Sequence, residues 1–170
     1  MSTAENQSAL MAAAPSERTT HNTVQALSEK INQILADNFA LYLKTKNFHW
    51  HVKGPHFRDY HLMLDEQADG IFEIIDPLAE RVRALGATTI RSLGQVMSLR
   101  TIADNDKEHL APRLMLEELV RDTKIVTTSM RQALKLCDDL DDVATASLIE
   151  GYIEAAEKRI WFLRETVGAA

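Results

Sequence analysis

The feature that most constrains this chain is a single stripe: Phe57, Tyr60, Leu64, Ala68, Ile71, Ile75, Leu78, Val82 and Leu85. Every step is three or four residues, which places these side chains on one face of an α-helix. A helix of about 28 residues is about 42 Å long. A rod of that length with one apolar face needs partners to cover it. Three further stripes supply them. The first runs within about 23–52 as Val24, Leu27, Ile31, Ile34, Leu35, Leu41 and Tyr42. Another is Leu116, Leu119, Thr123, Val126, Met130, Ala133, Cys137 and Leu140, and the last is Ile149, Tyr152, Ala156, Ile160, Leu163 and Val167. Four long amphipathic helices predict an all-α fold, a four-helix bundle. Composition agrees: 6 Gly and 4 Pro among 170 residues is about half the usual share of turn formers, too few for an all-β chain.

The connections predict the topology. Gly54-Pro55 is a tight break between the first two helices, and Asp138 to Asp142 a short one between the last two. Both pairs are therefore expected to be antiparallel. The middle connection, from Ala87 to about Pro112, is long enough to run the length of the bundle, with a short helix expected over Ile90–Leu99. A long crossover between the second and third helices is a ferritin-like connection. Gly86 suits the end of the second helix. Pro77 lies inside the second stripe, removes one backbone N–H and predicts a kink, with the Glu73 carbonyl left without its usual partner.

Residues 1–22 carry no apolar stripe and are expected to form a flexible N-terminal tail, with 23–170 as one domain. No apolar run exceeds Ala9–Ala14, so no membrane span is expected, nor a secretory signal. Cys137 stands alone, which excludes an intrachain disulfide and fits a reducing cytoplasm. The net charge of −6 argues against a nucleic-acid surface and suits the handling of cations.

The chemistry is concentrated at the first turn and along the second helix. Four of six histidines, His49, His51, His56 and His61, fall within 13 residues. His61 and Asp65 are spaced i, i+4, as are Asp76 and Glu80, so each pair shares a helix face. Asp65 and Asp76 are separated by 11 residues, about three turns, so all four residues project to nearly the same side. Eleven residues rise about 16 Å, whereas metal–ligand bonds are about 2.0–2.2 Å. One ion cannot join both pairs of one helix. If both pairs serve one centre, they must come from antiparallel copies of the helix in two subunits, which a two-fold dimer achieves twice. His49 is placed to join from the first helix. Imidazole and carboxylate ligands suit Fe(II), Mn(II) or Zn(II). No Glu-x-x-His occurs in the chain, which argues against the usual di-iron centre inside one bundle. Either pair by itself is ordinarily a solvated helix face, and Trp50 and Trp161 are ordinarily core residues. A helical interaction module with a solvated His/Asp face is therefore a competing reading.

The stretch KTKNFHWHVKGPHFRDYHLMLDEQADGIFEIIDPLAERVRALG (residues 44–86), with RIWFLRE near the end, resembles the Dps family, the DNA-protection proteins of starved bacteria. The shared motifs are Phe48-His49-Trp50, His61-x3-Asp65 and Asp76-x3-Glu80. The resemblance implies that His49, His61, Asp65, Asp76 and Glu80 are ferroxidase ligands at a dimer interface. It implies a hollow shell of twelve subunits that oxidises Fe(II) with hydrogen peroxide or oxygen. The Fe(III) mineral is stored inside, shielding the cell and its DNA. Trp50, beside His49, is a candidate trap for stray oxidant. The acidic turn with Asp138, Asp139, Asp141 and Asp142 either caps the fourth helix or lines an iron entry pore. The second functional reading is a nucleoid-associated DNA-binding protein with iron oxidation secondary. DNA-binding members often carry several lysines in the tail; here the tail has none, and twelve chains at −6 each give a shell of −72 that repels DNA at long range.

Overall fold

The computed structural model describes residues 17–168, and among these every regular element is a helix. Helix α1 spans Glu17–His51, α2 Phe57–Phe72, α3 Ile75–Ala84, α4 Leu93–Leu99, α5 Pro112–Leu140 and α6 Val143–Val167. The expected all-α bundle forms from α1, the α2–α3 rod, α5 and α6. Adjacent members run antiparallel. Lys46 and Tyr42 of α1 meet Asp65 and Phe72 of α2 in reverse order. Lys44 and Lys30 of α1 meet Asp122 and Gln132 of α5 in the same fashion. Thr166 bonds Met63 while Thr145 bonds Arg81, so α6 runs back along the α2–α3 rod. The core between them is aliphatic, with Leu27, Ile31, Ile34, Leu64, Leu78, Leu116, Ile149 and Leu163 fully buried.

Local sequence sets the ends of these helices. Pro112 opens α5 at a position whose N–H would lack a partner anyway. The Ser92 hydroxyl accepts from Gln95 N–H and starts α4, so the crossover helix covers Leu93–Leu99 within the expected Ile90–Leu99. Asp141 closes α5 in the left-handed region at φ 54°. The crossover is tied down by Asp37, a fully buried carboxylate on α1 that accepts from Thr101 Oγ1 (2.9 Å), Ile102 N–H (3.1 Å) and Thr101 N–H. Lower down, Lys44 donates to Glu118 (2.9 Å) and Asp122 (2.6 Å), and Asn105 donates to Glu118.

Two boundaries differ from expectation. Helix α1 begins at Glu17, six residues before Thr23; no Gly or Pro interrupts Glu17 to Val52, so nothing stops the helix earlier. The rest of the expected tail, residues 1–16, lies outside the described residues. The second rod is two helices, not one kinked helix, with the break at Glu73 and Ile74. Pro77 explains it, because it offers no N–H to the Glu73 carbonyl and its ring crowds that oxygen. Both break residues keep right-handed dihedrals, so the chain continues in the same sense with a bend.

Candidate metal centre

The first turn brings the histidines together. Helix α1 ends at His51, Gly54 takes φ 120°, a backbone region open to glycine, and α2 starts three residues later. His49 and His61 then face each other across the turn, their rings stacked 3.7 Å apart between centroids. Phe57 stacks on His61 at 5.0 Å. The two histidines also cross-bond: His49 Nδ1 lies 2.8 Å from the His61 carbonyl, and His61 Nδ1 2.9 Å from the His49 carbonyl. A carbonyl only accepts, so each Nδ1 carries the proton. In the neutral ring each Nε2 is then left with its lone pair, the tautomer a metal ligand needs. His49 is 8 % exposed, so its ring is held by packing as well.

Asp65 joins this pair. Its Oδ1 lies 3.8 Å from His49 Nε2 and also accepts from the Lys46 ammonium. The hydrogen bond from Lys46 holds the Asp65 carboxyl below the usual carboxylate range, and the same bond raises the Lys46 ammonium. Sequence reasoning missed Lys46, although it stands three residues before His49 on the same helix face. Lys46 masks the carboxylate oxygen that would face a cation.

Asp76 and Glu80 sit on α3, beyond the break, and both are exposed. Neither has a hydrogen bond or ion pair among the described residues, so both carboxylates face solvent. Among the described residues no group of three His, Cys, Asp or Glu side chains is arranged to hold a metal ion. His49, His61 and Asp65 therefore converge beside the first turn, whereas Asp76 and Glu80 stand apart from them on α3. His51 is turned away, with Nδ1 on the Asn47 carbonyl, and His56 packs on Tyr60.

Trp50 is 60 % exposed and Trp161 58 %, so neither is a core residue of this chain. Leu43 on α1, Leu62 and Phe72 on α2, and Leu93 and Met97 on α4 are exposed apolar side chains as well. Leu43, Leu93 and Met97 frame a groove of about 400 Å³ between α1 and α4. In the acidic turn, Asp138, Asp139 and Asp141 are exposed. Asp142 is committed otherwise: it accepts from Arg81 (2.8 and 3.0 Å) and from Thr145 N–H (3.0 Å), capping α6. Burial pushes its carboxyl up, but the Thr145 and Arg81 bonds outweigh this and hold it below its ordinary value. Cys137, beside it, is buried, and burial pushes its thiol up to about 11.

The bundle with its long crossover and its partial His/Asp sets define a class. The ferritin-like domain family matches residues 28–170, and the chain belongs to it. Within that class the chain is a Dps-family protein. It is 33 % identical over 140 residues to DNA protection during starvation protein 1 of Deinococcus radiodurans, covering 82 % of this chain and 68 % of that one. It is also 33 % identical over 144 residues to a low temperature-induced protein of Nostoc sp., covering 84 % and 80 %. The solved Dps structure of Thermosynechococcus elongatus superposes with a TM-score of 0.84 at 28 % identity, over 87 % of this chain and 94 % of that one.

Proposed function

We propose that this protein is a cytoplasmic ferroxidase and iron store whose oxidation sites are completed between two subunits. The observation that carries the reading is the reciprocal backbone bonding of His49 and His61 beside Asp65. It presents two imidazole lone pairs and a carboxylate from one chain. Asp76 and Glu80, without a hydrogen bond or ion pair among the described residues and facing solvent, suit the other half. Exposed apolar side chains on α1, α2 and α4 are available for a two-fold contact. Mixed nitrogen and oxygen donors suit Fe(II), here the substrate. Lys46 must leave Asp65 as the ion arrives, exchanging one cation for another.

The carboxylates Asp65, Asp76 and Glu80 offset the charge of the bound ions, and the few protein ligands leave positions open for oxidant. Two ferrous ions give one electron each to hydrogen peroxide, which takes up two protons and leaves as two waters. No hydroxyl radical is released, and Trp50 at the rim intercepts any stray oxidant. Ferric product passes into a shell of twelve subunits. DNA is protected by removal of iron and peroxide, since a chain of net charge −6 gives little attraction to phosphates.

Aerobic loading with ferrous salt, followed by size-exclusion chromatography, tests the reading. Ferric iron should co-elute with a particle far larger than a dimer, and His61→Ala should lose most of it. Iron eluting separately from protein would contradict it. We also propose Asp138, Asp139 and Asp141 as the rim of an iron entry path, with Asp142 kept as a cap. Asp138→Asn with Asp139→Asn should slow uptake severalfold while final loading is preserved; an unchanged rate would remove the path.

A further inference from the structure

The Lys46 ammonium sits on the Asp65 oxygen that lies 3.8 Å from His49 Nε2. An ion taken up by His49, His61 and Asp65 meets this cation first, and two cations at one carboxylate oxygen repel each other. The displaced ammonium needs another anion, and the seam between α1 and α2 supplies one. Along that seam Lys46 meets Asp65, and Tyr42, four residues earlier on α1, meets Phe72, seven residues later on α2. Asp69 falls between these two contacts, one turn beyond Asp65 on the same face of α2. Four helical residues rise about 6 Å, a shift that the flexible lysine stem covers without moving the backbone. Asp69 is exposed, and its carboxylate makes no hydrogen bond or ion pair among the described residues. The Asp65 bond raises the Lys46 ammonium, and the charge of Asp69 adds to the rise, so the ammonium already stands in the field of both acids.

Resting on the reading of His49, His61 and Asp65 as ligands, we propose that Asp69 is a positioning residue that receives the Lys46 ammonium when a divalent ion takes Asp65. Lys46 is then a latch with two seats. On Asp65 it keeps the carboxylate of the empty site ionised and aimed. On Asp69 it frees that carboxylate for the ion and stays paired itself, which lowers the cost of opening the site.

Zn(II) binds nitrogen and oxygen donors without changing its oxidation state. Calorimetric titration of the full-length chain with Zn(II) gives the affinity of the first ion, and crystals with and without Zn(II) give the place of Lys46. Asp69→Asn should weaken first-ion binding roughly two- to fivefold, the worth of an exposed ion pair, and Asp69→Glu should bind as the wild type does. Lys46→Met should tighten binding severalfold and shrink the effect of Asp69→Asn, because no ammonium is left to move. In the zinc-loaded crystals Lys46 Nζ should stand within hydrogen-bond reach of the Asp69 carboxylate. Lys46 still on Asp65 with zinc bound, or turned to solvent, overturns the proposal. So does an effect of Asp69→Asn that persists undiminished in Lys46→Met, which would make Asp69 a direct attractor of the ion. His61→Ala separates the two readings. Lost zinc affinity in His61→Ala with no effect of Asp69→Asn overturns the latch alone, whereas unchanged affinity in His61→Ala overturns the site and the latch with it.

Discussion

At the residue scale, one acid shows how a side chain can serve the fold rather than the chemistry. Asp142 accepts the Thr145 N–H at the start of α6 and pairs with Arg81 on α3. Its carboxyl is held below the ordinary value, whereas in the unfolded chain it titrates near 3.9. The fold therefore favours the ionised form. That stabilisation is complete above the unfolded value and is lost as pH falls through the lower folded value. Asp142→Ala should cost about 1–2 kcal/mol at neutral pH, combining a lost cap with a partly screened pair. Urea titrations should show this cost shrinking between about pH 4 and the onset of acid unfolding, where the wild-type carboxyl is itself protonated. A pH-independent difference would mean that the carboxylate charge contributes nothing. His49 and His61 illustrate the opposite case: their packing and backbone bonds fix a tautomer and leave Nε2 for a ligand.

At the element scale, the break between α2 and α3 matters most, because it separates Asp65 from Asp76. Pro77→Ala restores an N–H for the Glu73 carbonyl. The thermal midpoint should rise in calorimetry, while stopped-flow ferrous oxidation slows several-fold as Asp76 and Glu80 turn with the straightened rod. An unchanged rate would show that the bend does not aim them. Much of this architecture was legible in residues. The stripe from Phe57 to Leu85 declared the rod, and Pro77 its bend, because burial periodicity and a missing N–H act locally. The break at Glu73 and Ile74 was less so, since proline disturbs the turn before it. The start of α1 at Glu17 was hidden because Glu17–Asn22 have no apolar stripe and still propagate a helix. Spacing singled out the candidate ligands His61, Asp65, Asp76 and Glu80, but Lys46 on Asp65 was not legible, since which cation reaches a carboxylate depends on how two helices meet.

At the scale of the whole molecule, one chain leaves large apolar side chains open to solvent. Trp50, Leu43, Phe72, Leu93 and Met97 are exposed along α1, α2 and α4, and periodicity reports which face is apolar without reporting what covers it. Trp161 and Phe162, in edge contact at 5.0 Å, form a separate exposed patch on α6. The central claim is that each oxidation site takes His49, His61 and Asp65 from one subunit and Asp76 and Glu80 from its two-fold mate. Subunit complementation tests it most directly. His49→Ala/His61→Ala chains and Asp76→Asn/Glu80→Gln chains are expressed apart and together, and initial ferrous oxidation is measured by stopped flow. Each alone should be nearly inactive. Random pairing makes half the dimers mixed, and each mixed dimer holds one intact site of two, so co-expression should restore roughly a quarter of wild-type activity. Co-expressed subunits as inactive as either parent, at wild-type assembly size, would contradict the account.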